Sequence, residues 1–415
     1  MQKVSIITLG CKVNEYETRT MMNILENAGY EVTEGFVPAD IYVLNTCAVT
    51  AMSEKKSRQM HSKALSINPN AKVIVCGCAS QHNPKQFVSK GAYSTIGTIG
   101  KENILSLIYN AKFKTYAHST QYTHTPYAKD TVSRQYIKVQ DGCNNFCSYC
   151  IIPYLRGRSR SRNLDDIIAE ISATHCQEIV LTGIDISDYR IDGRPAMLDL
   201  VKAVDKCGVR FRIGSLEPRI ISEELVKYLS TSQNFAPSFH ISLQSGNDHV
   251  LKKMNRKYTR QQYIDSVNLI KRYFGRLAVF TTDIITGFID ETEERFQDSV
   301  ELCKQVKFAH VHAFPYSVRA GTSATKLQGE KVPTEIARAR VKVLEGIDKK
   351  CRQQVLNDNV GVEHKVLVEE YVDGIAYGYT DNYLRAKFVT SDNVVNQIIQ
   401  VKAVGIEDDC LVCQI

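Results

Sequence analysis

Between residues 136 and 321 the sequence alternates repeatedly between short apolar runs and longer amphipathic ones. Such alternation is typical of β-α units whose strands form a parallel sheet covered by helices. The predicted strands are residues 136–139, 178–181, 210–213, 239–243, 277–284 and 309–314, and the predicted helices are 164–174, 197–206, 222–230, 260–273 and 291–306. A closed β/α barrel has eight units, so these six predict an incomplete barrel.

Two smaller regions flank this barrel. Residues 1–112 predict an open parallel α/β sheet, with strands at 4–9, 41–45 and 73–75 and helices at 14–28 and 53–65, the first capped by Asn14. Residues 356–415 predict a small all-β barrel with strands at 365–369, 375–379, 383–389, 396–404 and 411–415. The fold class is therefore α/β, with domains at 1–112, 129–355 and 356–415 and a polar linker at 112–135.

The net charge of +7 favours a polyanionic partner, and the basic residues concentrate outside the last domain. Residues 358–415 hold four basic and ten acidic side chains. One basic run is formed by Arg156, Arg158, Arg160 and Arg162, although such a run is often only a solvated face. The chain has no apolar stretch long enough to span a membrane and no signal-peptide core at its start, so we expect a cytoplasmic protein with no membrane partner.

Thirteen cysteines without a secretion signal argue against a disulfide framework and favour metal or catalytic use of some of them. The most specific motif places Cys143, Cys147 and Cys150 in the spacing C-x3-C-x2-C, directly after the first barrel strand. A cubic [4Fe-4S] cluster takes one ligand per iron, so three thiolates on one loop leave the fourth iron open. A zinc site or three buried cysteines are the alternatives, but structural zinc usually has four ligands.

This motif resembles that of the radical S-adenosylmethionine (SAM) enzymes. The resemblance implies that the open iron binds the amino and carboxylate groups of SAM, that an electron from the cluster cleaves SAM to a 5′-deoxyadenosyl radical, and that Tyr149 lies near the adenine. Sites in such barrels lie at the C-terminal ends of the strands. The polar or glycine-containing segments there predict further cofactor contacts, although each segment alone could be a turn or helix cap; the candidates are Gly183, Glu217, Gln244 and Asp283.

A second set of cysteines follows the strands of the N-terminal sheet. Cys11 follows the first strand, Cys47 the second, and Cys76 and Cys78 close the third. Because ligands bind outside the carboxyl ends of parallel strands, three of these thiols are expected to converge on one edge. Such a group predicts another cluster with an open iron, and three buried cysteines beside strands are the alternative.

Three segments carry a more specific resemblance: residues 9–17 (LGCKVNEYE), 45–49 (NTCAV) and 77–81 (GCASQ). They are similar to the signature segments of methylthiotransferases, which implies that Cys78 rather than Cys76 is a ligand and that the C-terminal barrel is a TRAM domain. The form Gly-Cys-Lys-Val-Asn resembles the subgroup that installs a 2-methylthio group on N6-threonylcarbamoyladenosine beside the tRNA anticodon. Two segments depart from the family pattern, residues 287–292 (GFIDET) and 183–189 (GIDISDY).

The resemblance implies two [4Fe-4S] clusters and two uses of SAM, one for the radical and one to methylate sulfur held on the N-terminal cluster. Its implied partners are tRNA, an electron donor and a sulfur source, the last two unidentified by the sequence. For RNA binding we predict one face of the last domain, with Arg385, Lys387 and Tyr383, against the alternative of an ordinary barrel strand. The competing functions are methylthiolation of isopentenyladenosine in tRNA, methylthiolation of a ribosomal-protein aspartate, and a non-catalytic metal-containing RNA-binding protein.

Overall fold

A computed structural model describes residues 1–110, 113–114, 121–122, 125–129 and 133–415 of the chain. Part of the predicted linker at 112–135 lies outside these residues. Within the described residues, no helix is both long enough and apolar enough to cross a membrane.

The N-terminal region is an open parallel sheet, as predicted. Its six strands run in the order β2-β1-β3-β4-β5-β6, so β1, β3 and β4 are neighbours. Apolar side chains on both faces pack against the helices, which explains why these strands lack polar alternation. The elements are β1 (Lys3–Thr8), α1 (Lys12–Asn27), β2 (Glu31–Glu34), β3 (Ile41–Thr46), α2 (Ala51–Ile67), β4 (Lys72–Gly77), α3 (Cys78–His82), α4 (Lys85–Val88), β5 (Ser94–Ile96), α5 (Ile104–Tyr109) and β6 (Phe113–Lys114).

The predicted capping of α1 by Asn14 is wrong. Helix α1 begins at Lys12 and its N-cap residue is Cys11, whose side chain makes no capping hydrogen bond. Asn14 lies inside the first turn and is buried. Its side-chain amide instead donates hydrogen bonds to the backbone of two neighbouring loops.

The central region is an open barrel of six parallel strands, all of which were predicted. Strands β13-β10-β7 and β14-β15-β16 form its two halves, which isolated bridges such as Leu216 to Ile241 connect. The elements are β7 (Arg134–Lys138), β8 (Gln140–Asp141), α6 (Ile152–Arg156), β9 (Arg160–Ser161), α7 (Leu164–Ala173), β10 (Glu178–Thr182), β11 (Arg190–Ile191), β12 (Arg194–Pro195), α8 (Met197–Asp205), β13 (Arg210–Ile213), α9 (Glu223–Thr231), β14 (Ser238–His240), α10 (Asp248–Lys253), α11 (Arg260–Phe274), β15 (Val279–Thr286), α12 (Glu293–Val306) and β16 (His310–Pro315).

The last region is a closed five-stranded barrel, which also agrees with the prediction. Helix α13 (Thr334–Asn359) leads into β17 (Glu363–Val372), β18 (Ile375–Tyr379), β19 (Arg385–Val389), β20 (Ile398–Glu407) and β21 (Cys410–Gln414), arranged in the order β17-β18-β19-β21-β20. Its core includes Val279 and Ala309, which lie at the beginning of β15 and just before β16. The small barrel therefore packs against the N-terminal ends of the central strands and leaves their C-terminal ends free.

Candidate active site

Three loops of the N-terminal sheet bring Cys11, Cys47 and Cys78 together. They follow the adjacent strands β1, β3 and β4, whose carboxyl ends share one edge of the sheet. The approach is close, because a Cβ added at Gly10, which has φ +121°, would lie 3.2 Å from the Cys47 Sγ. Gly77, at φ +98°, leaves room for the Thr46 carbonyl, which a Cβ there would meet at 2.5 Å. The two glycines allow these loops to pack together.

The amide of Asn14 fixes two of these loops relative to each other. Its Nδ2 donates to the Leu9 carbonyl at 2.7 Å and to the Thr46 carbonyl at 3.1 Å. Leu9 lies two positions before Cys11, and Thr46 lies one position before Cys47. The Asn14 amide therefore fixes the backbone from which both cysteines project.

The second triad lies on the single loop between β8 and α6. The Asn145 backbone N–H donates to the Cys143 Sγ at 3.4 Å, and the Arg256 Nη1 donates to the Cys147 Sγ at 3.1 Å. The Asn255 Nδ2 donates to the Phe146 carbonyl at 2.9 Å and supports the middle of the loop. The segment after α10 therefore holds a loop that has little secondary structure of its own.

Both triads line one cavity of about 640 Å³ at the C-terminal end of the central barrel. This volume lies within the range of cofactor and ligand pockets. Tyr149, Gly183, Glu217 and Asp283 also line it. Gln244 is not among the lining residues; its backbone donates to the Asp283 carbonyl at 2.8 Å and bridges β14 to β15. The structure thus groups all the predicted cluster and cofactor residues except Gln244.

Burial keeps most of these thiols protonated when nothing is bound. It raises the pKa of Cys47 to about 11 and that of Cys150 to about 12, with Cys78 and Cys147 respectively as the next causes. It also raises the pKa of Cys78, an effect that Arg156 opposes. A bound metal reverses this preference because it ligates the thiolate form.

The donor set fits iron–sulfur clusters better than single ions. Among the described residues, no three His, Cys, Asp or Glu side chains are arranged to hold one metal ion. A cluster binds each thiolate to a different iron, so its ligands need not converge on a single point. The Arg156 Nε, moreover, is buried without a hydrogen-bond acceptor, although Arg156 lines the cavity together with Cys78. An anionic group at the N-terminal triad would supply that missing acceptor.

A buried ion network joins the N-terminal sheet to the barrel behind the cavity. Arg156 has 0% exposure, and its Nη1 donates to Glu17 at 2.9 Å and to Asp141 at 3.1 Å, while its Nη2 donates to Asn14 at 2.7 Å. Lys138 bridges the same two carboxylates at 2.7 and 2.8 Å. Although burial opposes it, Arg156 and its neighbouring lysines hold the pKa of Glu17 well below its usual value. This network fixes the position of one triad relative to the other.

The expectation that residues 156–162 form a basic surface run, either for a polyanionic partner or as a solvated face, is therefore wrong for most of its members. Arg156, Arg160 and Arg162 are buried, and their guanidinium groups pair with carboxylates inside the protein. Only Arg158 is exposed. Sequence reasoning missed the network because burial of an arginine depends on acids elsewhere in the chain.

Two further cavity residues were absent from the predicted site. Asp185 accepts a hydrogen bond from the Asn145 Nδ2 at 2.9 Å, and burial, followed by the nearby Glu217, raises its pKa to about 6. Lys12 also lines the cavity, next to Cys11. The sequence could have indicated Lys12 as a cavity residue, because it directly follows the predicted ligand Cys11.

The predicted RNA-binding residues lie on the C-terminal barrel, away from the cavity. Arg385 and Lys387 share the outer face of β19, where each has an acidic neighbour: Glu370 at 3.8 Å and Glu407 at 2.7 Å. Tyr383 is 36% exposed and lies against the central barrel, because the Arg212 guanidinium packs over its ring at 3.6 Å. Their role in RNA binding stays a prediction.

Comparisons with known proteins agree with the fold and define the class. Residues 137–303 match the family described as the Radical SAM superfamily, and residues 3–97 match the one described as Uncharacterized protein family UPF0004. A solved structure of the radical SAM methyltransferase TsrM from Kitasatospora setae shares the fold at a TM-score of 0.54 and 13% identity, covering 76% of this chain and 75% of that one. The chain is therefore an enzyme of the radical SAM class, which implies a [4Fe-4S] cluster and SAM as cofactors.

Relatives along the whole chain identify the family. A Chlamydia pneumoniae protein named threonylcarbamoyladenosine tRNA methylthiotransferase MtaB is 35% identical over 99% of this chain and 97% of its own length. A Bacillus cereus protein named tRNA-2-methylthio-N(6)-dimethylallyladenosine synthase is 33% identical over 97% of this chain and 83% of its own length. The chain belongs to the tRNA methylthiotransferase family.

Proposed function

We propose that the protein methylthiolates C2 of N6-threonylcarbamoyladenosine next to the tRNA anticodon, using a [4Fe-4S] cluster at each triad. The observation that carries the proposal is the lining of one cavity by both triads. A carbon–hydrogen bond of an aromatic ring resists acid–base removal, so a radical source and a sulfur carrier must both reach the same atom. Two triads on one cavity meet that requirement.

Cys143, Cys147 and Cys150 would hold one cluster, and Cys11, Cys47 and Cys78 the other. When bound, the two clusters would supply the electron that cleaves SAM and a carrier for the sulfur. The protein's own residues then have to orient the ligands and exclude water. Tyr149 packs edge-on against the buried Phe288 at 6.3 Å between ring centroids, which fixes it as an apolar wall for the adenine of SAM.

Polar side chains on the opposite wall would position SAM. The Arg256 Nη2 contacts the Glu217 Oε1 at 2.8 Å, and Asn145 donates to the same oxygen at 3.0 Å. Arg219 donates to the other oxygen, Oε2, at 2.6 Å, so three donors hold the Glu217 carboxylate in an orientation from which it would accept from the ribose hydroxyls or the amino group of SAM. Gly183 lets the Gln140 side chain pack closely behind this wall, since a Cβ there would meet the Gln140 Oε1 at 2.9 Å.

The substrate assignment rests on the form Gly-Cys-Lys-Val-Asn and on the relatives. Five relatives with the threonylcarbamoyladenosine name are 32–35% identical over at least 91% of this chain. The dimethylallyladenosine-type substrate is the second candidate, because relatives with that name reach 33% identity over 97% of the chain. For tRNA we propose contacts through Arg385, Lys387 and Tyr383, with the stacked ring of Tyr379, 4.5 Å from that of Tyr383, beside them.

Nucleoside analysis by liquid chromatography and mass spectrometry tests the assignment. We expect tRNA from a strain lacking the gene to lose 2-methylthio-N6-threonylcarbamoyladenosine and to regain it with the wild-type gene but not with Cys150→Ala. In parallel, the anaerobically reconstituted enzyme is given two anticodon stem–loops that differ only in the N6 group. Loss of the dimethylallyl product instead would replace the first candidate with the second.

A further inference from the structure

Lys12 is a cationic residue of the cavity that neither holds a cluster nor positions SAM in the proposed function. Lys12 is the first residue of α1 and lines the cavity that both triads share. Its side chain is open to the cavity, yet the protein surrounds it on most sides. Unlike the other lysine and arginine side chains that line this cavity in the described part of the chain, it has no ion pair or hydrogen bond.

The surroundings of Lys12 do not neutralise it. Arg212 and Arg134 lie close enough to repel its charge, and the nearby groups that attract it are Asp283 and the adjacent Cys11, which the proposed function assigns to iron. Asp283 already has a partner, because its Oδ2 lies 3.2 Å from the His240 Nε2. An uncompensated cation in a deep pocket favours an anionic ligand, and a carboxylate there gains a charge-assisted hydrogen bond.

The position of Lys12 narrows the choice of anion. The wall beside Cys143 and Cys147 carries Arg256, whose guanidinium is already engaged by Glu217 and the Cys147 Sγ. Lys12 belongs to the other wall, next to Cys11. An adenosine that inserts between the walls would direct its N6 substituent along this cavity, and a threonylcarbamoyl group ends in a carboxylate whereas a dimethylallyl group carries no charge.

We propose that Lys12 binds the carboxylate of the N6-threonylcarbamoyl group and thereby selects adenosines with an anionic N6 substituent. This inference rests on the proposed function. It makes Lys12 a specificity-determining residue: it distinguishes substrates that have the same adenine ring. A neutral side chain at this position removes the distinction and leaves the contacts to the rest of the RNA in place.

The test measures binding of the reconstituted protein to three anticodon stem–loops. One carries N6-threonylcarbamoyladenosine, one carries the same group with its carboxylate converted to an amide, and one carries unmodified adenosine. Fluorescence anisotropy should show that wild type binds the first RNA about tenfold more tightly than the other two, as expected for one hydrogen bond to a charged group. Lys12→Gln should bind all three equally, at the wild-type affinity for unmodified RNA, and Lys12→Arg should recover part of the preference.

A matched control and the iron content complete the test. Lys206→Gln removes the same charge from an exposed position at the end of α8 and should behave as wild type. If Lys12→Gln weakens all three RNAs alike, Lys12 contacts backbone phosphate and the inference is overturned; loss of iron in this variant would likewise overturn it in favour of a role at the cluster. If wild type forms the methylthio product yet shows no preference among the three RNAs, the inference fails alone, whereas a wild type that makes no product from the threonylcarbamoyl RNA contradicts the proposed function.

Discussion

The two cysteine triads reach the same cavity by different routes. Cys143, Cys147 and Cys150 lie on one loop, which the segment after α10 holds through Asn255 and Arg256. The N-terminal triad instead collects one cysteine from each of three loops, and its geometry depends on the order of β1, β3 and β4. The first triad is therefore a local structure, and the second is a product of tertiary folding.

This difference has a physical consequence for stability and assembly. A triad on one loop keeps its spacing even when a neighbouring domain shifts, because the chain itself links the ligands. A triad whose cysteines follow three different strands loses its spacing whenever the sheet or the buried ion network behind it moves. We therefore expect disturbances of the protein interior to affect the N-terminal site before the barrel site.

The largest expected effect comes from the cysteines themselves. Cys150→Ala should abolish both 5′-deoxyadenosine formation and the methylthio product, whereas Cys47→Ala should abolish the product and retain SAM cleavage. Each variant should hold about four irons per chain, against about eight in wild type, as expected for loss of one [4Fe-4S] cluster. Anaerobic iron analysis and chromatography of both products check this, with Cys207→Ala as a control outside the cavity. Equal loss of SAM cleavage in both variants would contradict separate roles.

The second largest effect should come from removing Arg156 from the buried ion network. Arg156→Met leaves Glu17 and Asp141 with fewer partners in a buried place, and breaking such a network costs about 3–5 kcal/mol. Denaturant unfolding should show that loss, and the iron content should fall at the N-terminal triad while SAM cleavage persists. A variant that loses the barrel cluster first would reverse our comparison.

A second buried network offers a control for stability alone. Glu178 is 1% exposed at the N-terminal end of its strand and pairs with Arg134, Arg210 and Arg212, none of which lines the cavity. Burial opposes ionisation, but these arginines lower its pKa from 4.5 to about 2. Its stabilisation is therefore complete above about pH 4.5 and is lost as the pH falls toward 2, with a magnitude of about 3 kcal/mol.

The matching variant is Glu178→Gln. Its deficit in unfolding free energy relative to wild type should shrink between pH 5 and pH 3, because the unfolded wild-type chain takes up a proton at Glu178 near pH 4.5 while the folded protein keeps the charge down to about pH 2. Its iron content at neutral pH should equal that of wild type, in contrast to Arg156→Met. A deficit that does not change with pH would show that ionisation of Glu178 does not contribute to stability.

The smallest effects should come from the two asparagines that support the loops. Asn14→Ala removes the donor to the Leu9 and Thr46 carbonyls and keeps a residue that suits helix α1. Asn255→Gly removes the donor to the Phe146 carbonyl and tolerates the positive φ of 59° at that position. Each should cost about 1–3 kcal/mol, the range for a buried group left unpaired. Asn14→Ala should lower the yield of methylthio product relative to 5′-deoxyadenosine, and Asn255→Gly should lower both together. An equal ratio of methylthio product to 5′-deoxyadenosine in the two variants would show that Asn14 and Asn255 do not each support one particular triad.

The barrel triad was predictable from sequence because its spacing is local. The strands of the barrel were predictable for a related reason, since each apolar run is continuous. The capping of α1 was not, because Asn14 has two loop carbonyls within reach that only the folded sheet supplies. The burial of Arg156 and the exclusion of Gln244 from the cavity also depend on distant partners, namely Glu17 and the backbone of Asp283.

The claim at the centre of this account is that both triads face one cavity. Electron paramagnetic resonance of the fully reconstituted, reduced protein tests it directly, because two paramagnetic clusters across one cavity couple through space. We predict that the wild-type signal is broadened and that Cys78→Ala and Cys150→Ala each give a single sharp cluster signal. A wild-type spectrum equal to the sum of the two variant spectra would place the clusters far apart and contradict the shared cavity.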